Sequence, residues 1–139
     1  MKKSVNPALT FRQKLINYTI MKEITYNFTC RLFTDSKAFG PGVAQLLHRV
    51  EELHSLRAAA ASMEMAYSKA WTIIKNSEAA LGYSLLASTT GGKNGGGAML
   101  TEEGAALLQK YDAFCAEMRT YGDTLFARFF ENQATDRNQ

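Results

Sequence analysis

Few side chains in these 139 residues could carry out chemistry, and their spacing excludes most of it. His48 and His54 are not at i, i+4 spacing, and no cysteine or acid partner is read beside them, so no metal site is expected. Cys30 and Cys115 lie far apart and form no CxxC pair. Both read as core-side thiols kept reduced, which fits a cytoplasmic protein. Serines are plentiful, but none sits in a GxSxG elbow. No two carboxylates are paired for acid–base catalysis. Neither an enzyme nor a cofactor is expected.

Glycine and positive charge remain. Thr90-Gly91-Gly92-Lys93-Asn94-Gly95-Gly96-Gly97 fails as a nucleotide cradle, because GxxxxGK[ST] puts the glycines ahead of a Lys-Ser/Thr pair and here Asn94 follows Lys93. Such a loop instead lets backbone N–H groups and Lys93 approach a phosphate or enter a minor groove. The net charge of +3 is unevenly placed. Residues 1–20 hold Lys2, Lys3, Arg12 and Lys14 without an acid, whereas residues 101–139 are net acidic. Between Ala66 and Leu100, Lys69, Lys75 and Lys93 face only Glu78. A locally basic surface of this kind suits a polyanion.

The elements that must position these groups follow from periodicity. The length is that of one domain, and no apolar run approaches the ~18 residues a membrane span needs. Residues 1–22, with Pro7 and no clear period, read as a flexible basic extension without a signal-peptide h-region. Ile24 to Phe33 alternates apolar and polar residues and predicts a strand with one buried face. Asp35 to Gly42 reads as punctuation. From Pro41, apolar residues at Val43, Leu46, Leu47, Val50 and Leu53 predict a helix. Ser55 caps a second, alanine-rich helix, Leu56 to Ser62, whose small side chains let a neighbour approach closely. After the turn Met63-Glu64-Met65 a third helix runs from about Ala66 to Leu81, burying Ala70, Ile73, Ile74 and Leu81, with Gly82 closing it. Leu85 to Thr89 and Ala98 to Leu100 predict a hairpin around the glycine loop. Thr101 caps a last helix that reaches Phe129 or beyond.

This order predicts a mainly α fold with a small β-hairpin: a winged helix-turn-helix with a long C-terminal dimerisation helix, occupying residues 23–132 ahead of a disordered tail at 133–139. In such a fold the third helix enters the major groove of double-stranded DNA. Tyr67, Ser68, Lys69 and Thr72, near its N-terminus, are expected at base edges; Lys75 is expected at phosphate, and Asn76 shares the polar face. Ser55 and Arg57, at the start of the second helix, are counted with this DNA-facing set. On the last helix Leu107, Tyr111, Phe114, Met118, Tyr121 and Leu125 form a heptad seam, expected to pair two copies. The competing reading is a protein-interaction module of the same fold that binds no DNA. The two differ in whether Lys69, Lys75 and Lys93 share one surface unscreened by acids.

Ala66-Tyr67-Ser68-Lys69-Ala70-Trp71-Thr72-Ile73-Ile74, with Thr90 through Thr101, resembles the N-terminal domain of the molybdate-responsive ModE regulators, which is related to the LysR-type winged helix. The resemblance covers roughly residues 24–129. It implies DNA contacts from Tyr67, Ser68, Lys69, Trp71 and Thr72 and from Gly92, Lys93 and Asn94 of the wing, with the first and last helices building the dimer. The family's molybdate-binding domains would lie downstream of Gln139, so the expectation is a stand-alone DNA-binding unit. Two departures stand out. Glu64 occupies a turn position usually held by glycine, so it is either left-handed or the turn differs. Ala66 stands where a serine cap is common.

Overall fold

The computed structural model describes residues 10–12, 22–90 and 96–131. Most of the N-terminal extension, the tail at 133–139 and the wing residues Gly92, Lys93 and Asn94 lie outside the described residues.

The chain folds as a winged helix-turn-helix. Its elements are β1 (Leu32–Phe33), β2 (Lys37–Phe39), α1 (Pro41–Leu53), α2 (Leu56–Ser62), α3 (Tyr67–Leu81), β3 (Leu86–Thr89), β4 (Gly97–Leu100) and α4 (Glu102–Phe126), which runs into a π-helical turn, Ala127–Glu131. Pro41 occupies the first turn of α1, and Val43, Ala44, Leu46, Leu47 and Val50 form the buried stripe that its spacing predicts. His54 ends α1 in the left-handed region, φ 57°, its N–H bonded to the Val50 carbonyl. The Ser55 hydroxyl then accepts the Ala58 N–H at 3.1 Å, capping α2. Ala59 and Ala60 of α2 are completely buried against the neighbouring helices, as an alanine-rich face allows. Phe39, Leu46, Leu47, Val50, Ile74 and Leu85 centre the core, closed from above by Leu108 and Tyr111 of α4.

The expected strand from Ile24 to Phe33 is corrected. Only Leu32 and Phe33 are in a ladder, pairing antiparallel with Lys37–Phe39, a segment read as punctuation. The alternation was real, but it marks an extended segment with one covered side. Tyr26 and Cys30 turn toward α4 instead of entering a sheet. Tyr26 donates to Asp123 at 2.5 Å and stacks on Phe126 with ring centroids 5.1 Å apart, while Tyr111 donates to the Cys30 carbonyl at 2.9 Å. Alternation reports which face is covered; a ladder also requires a partner backbone.

Strands β3 and β4 pair antiparallel from Leu86↔Leu100 to Thr89↔Gly97 and form the base of the wing. Two contacts fasten that base. The Ala98 N–H bonds to the His54 carbonyl at 2.9 Å, and the Thr101 N–H to the Leu85 carbonyl at 2.9 Å. Thr101 also caps α4, accepting the Gly104 N–H at 3.0 Å, with Glu102 and Glu103 in the first turn where the helix dipole favours them. Glycine is required at 104, because a Cβ there would lie 2.5 Å from the Leu85 carbonyl oxygen. No helix among the described residues is long and apolar enough to cross a membrane.

Candidate nucleic-acid interface

The α2–turn–α3 unit presents the outer face of α3. Glu64 settles the turn. It is left-handed, with φ 53°, and its N–H bonds to the Ala61 carbonyl at 3.0 Å. Met65 N–H returns to the Ala60 carbonyl at 2.9 Å, so the chain reverses within three residues. Ala66 caps α3 in extended conformation without a side-chain hydrogen bond. Ala70 and Ile74 bury the inner stripe of α3, while Tyr67, Ser68, Lys69, Trp71, Thr72, Lys75 and Asn76 all lie exposed on the remaining faces.

These exposed residues are not equally free. Thr72 donates its hydroxyl back to the Ser68 carbonyl at 2.9 Å. The Ser55 hydroxyl oxygen is engaged as the α2 cap. Arg57 lies over the Tyr67 ring, 4.3 Å from its centroid, which gathers cation and aromatic at the start of α3. Lys75 sits 5.7 Å from the Trp71 centroid and 3.0 Å from Glu78 Oε1, a contact with the distance of an ion pair but not the angle of a hydrogen bond. Glu78 is the residue that sequence reasoning missed. Nearly buried, it accepts the Leu85 N–H at 2.7 Å through its other oxygen and so ties α3 to the wing base. Its place at i+3 from Lys75 was the available signal. An acid therefore screens Lys75, whereas Lys69 is in no ion pair among the described residues.

Arg57, Tyr67, Trp71 and Lys75 share a cleft of about 280 Å³ with Ala87 and Gly97 of the wing strands. The structure thus brings the α2 start, the recognition helix and the wing base together on one surface. His48 has acid partners after all. Its Nε2 is 2.7 Å from Asp112 Oδ2 and its Nδ1 3.7 Å from Glu51 Oε1, an α1–α4 link well away from this cleft.

The seam expected on α4 divides into two. Tyr111 is corrected out of it: it is turned into the protomer's own core, edge-on to Phe39 with centroids 4.9 Å apart. Leu107 packs partly on that core. Beyond them Phe114 (51% exposed), Met118 (38%) and Tyr121 (62%) remain outward, with Leu125 half-buried.

Residues 43–105, from the first turn of α1 to the first turn of α4, match the bacterial regulatory helix-turn-helix proteins of the lysR family. This segment is a LysR-type helix-turn-helix domain. Among curated relatives, the transcriptional regulator ModE of Yersinia pestis is 31% identical over 102 residues, covering 73% of this chain and 37% of that protein. The transcriptional regulator ModE of Haemophilus influenzae is 34% identical over 89 residues, covering 64% of this chain and 33% of that one. The aligned part of the chain thus spans about a third of the length of these relatives. Within the LysR-type domain lie α2, α3, the wing strands and every residue of the cleft between them.

Proposed function

We propose that the chain is a non-catalytic, cytoplasmic DNA-binding transcription regulator that acts as a homodimer, with α3 in the major groove and the glycine-rich wing on the backbone or minor groove. The observation that carries this reading is the outer face of α3. Ser68, Lys69 and Thr72 stand exposed between the Arg57–wing cleft and the rest of the helix, the disposition a recognition helix needs. Ser68, Lys69 and Thr72 read base edges, and Arg57, with Lys93 and the glycines at 92 and 95–97, lies along phosphate. Lys75 is assigned first to Glu78 and only secondarily to DNA. Pairing of two copies through Phe114, Met118, Tyr121 and Leu125 presents two recognition helices to two half-sites.

The test is binding to random-sequence duplex DNA across a salt series, wild type beside Lys69→Ala/Lys93→Ala. The expected result is affinity that falls steeply with salt, with a slope shallower by about 2 in the double variant, as each phosphate contact contributes about 0.9. A protein-interaction module without DNA binding is favoured by one observation, the screening of Lys75 by Glu78 beside a half-exposed Trp71. Absence of binding at low salt would select that reading.

A further inference from the structure

A helix seated in a major groove about 12 Å wide meets a sugar–phosphate wall on each side. The Arg57–wing cleft serves only one flank of α3. The other flank is occupied by the β1–β2 hairpin, a part of the chain that neither motif nor resemblance connected with DNA.

Two hydrogen bonds fasten this hairpin to α3. Thr34 donates its hydroxyl to the Ala80 carbonyl at 2.7 Å, and the buried Ser77 donates to the Ala38 carbonyl. Between hairpin and helix is a cleft of about 260 Å³, lined by Arg31 and Lys37 from the hairpin side, by Gly40 and Gly42 at the start of α1, and by Ile73 and Asn76 of α3. No carboxylate lines it. Among the described residues neither Arg31 nor Lys37 takes part in an ion pair. The stem of Arg31 is laid over Gly40, its Cγ 3.5 Å from where a Cβ would stand, which aims the guanidinium along the cleft instead of into bulk water. Nothing at the adjoining end of α1 neutralises the charge: Gly40 offers no side-chain cap, and the first turn carries no acid. By contrast, the cleft on the wing side holds Glu78 against Lys75.

We infer that Arg31 and Lys37 form a phosphate-binding cleft on the flank of α3 opposite the wing, so that the recognition helix is held in its groove by cations on both sides. The inference rests on the DNA-binding reading and extends its footprint to the second backbone wall. Asn76, at the floor of the cleft, supplies an uncharged amide donor to the same phosphate. Because the hairpin is anchored to α3 itself, the distance between this contact and the base-reading side chains is fixed, and the contact sets register as well as affinity.

The full chain is titrated with random-sequence duplex DNA across a salt series, as wild type, Lys37→Ala, Arg31→Gln/Lys37→Ala and Lys69→Ala/Lys93→Ala. Lys37 is exposed, so its truncation leaves the fold intact, and glutamine keeps most of the Arg31 stem over Gly40; circular dichroism verifies both. The expected result is a slope shallower by about 1 for Lys37→Ala and by about 2 for the double hairpin variant, with affinity near 0.1 M salt down at least about tenfold in the latter. Hairpin variants with wild-type slope and affinity, while Lys69→Ala/Lys93→Ala is weakened, would overturn the second cleft and leave the DNA reading standing. A wild type that binds no DNA at low salt would overturn both.

Discussion

Glu64 shows what one residue costs. A left-handed conformation at a non-glycine residue costs roughly 1–2 kcal/mol, partly offset because glycine loses more freedom on folding by roughly 0.5–1 kcal/mol. Glu64→Gly is therefore expected to stabilise the domain by on the order of 0.5–1 kcal/mol, read as a higher urea midpoint, whereas Glu64→Ala gains nothing. A midpoint unmoved by glycine would mean the turn carries no strain. The sequence posed this position as an alternative between a left-handed residue and a different turn, and only backbone geometry chooses. Side-chain partners were less legible still. That Lys75 reaches Glu78, and His48 reaches Asp112 across 64 positions of chain, depends on rotamers and on helix packing that no spacing rule contains.

At the scale of elements, helices and caps were readable because each carries its signal locally: Pro41, Ser55, Gly82 and Thr101 stand at the ends they mark. The strand at 24–33 was misread because its partner is a helix remote in sequence. The α4 seam was read as one stripe because apolar spacing cannot tell a residue facing the protomer from one facing outward. Tyr111 belongs to the first kind, and its chemistry is a handle on how α4 is seated. Burial, with the neighbouring Cys115, pushes its hydroxyl up to about 12 from an ordinary value of 10.0. The protonated form is thus favoured in the folded state. The stabilisation it brings is complete below pH about 10 and is lost as pH rises toward about 12. Urea midpoints are expected to fall across that interval, and Tyr111→Phe, which loses one hydrogen bond worth about 1 kcal/mol at neutral pH, is expected to flatten the fall. An equally steep alkaline decline in the variant would assign it elsewhere. Tyr26, raised chiefly by its bond to Asp123, is the first such place to look.

At the scale of the whole molecule, exposed Phe114, Met118 and Tyr121 make an apolar strip that water does not favour, and a second copy would cover it. Phe114→Glu/Tyr121→Glu is expected to convert a dimer into a monomer in sedimentation, with little change in melting of the single domain. DNA with one half-site would then bind nearly as before, and the advantage of two half-sites would vanish. A variant that sediments like the wild type would remove this strip from the assembly. The path of the extended segment has a mechanical corollary. Tyr26 rests on Gly122 and Phe126 near the far end of α4, whereas Cys30 lies beside Tyr111 and Cys115 nearer its start, so the segment runs back along the helix. The described chain therefore comes into the domain at the same pole where α4 leaves it, while the recognition helix packs chiefly on α1, α2 and β2. Any load applied at that pole, from either direction along the chain, reaches the DNA-reading surface only by tilting α4 as a lever about its Gly104–Leu85 pivot at the root of the wing.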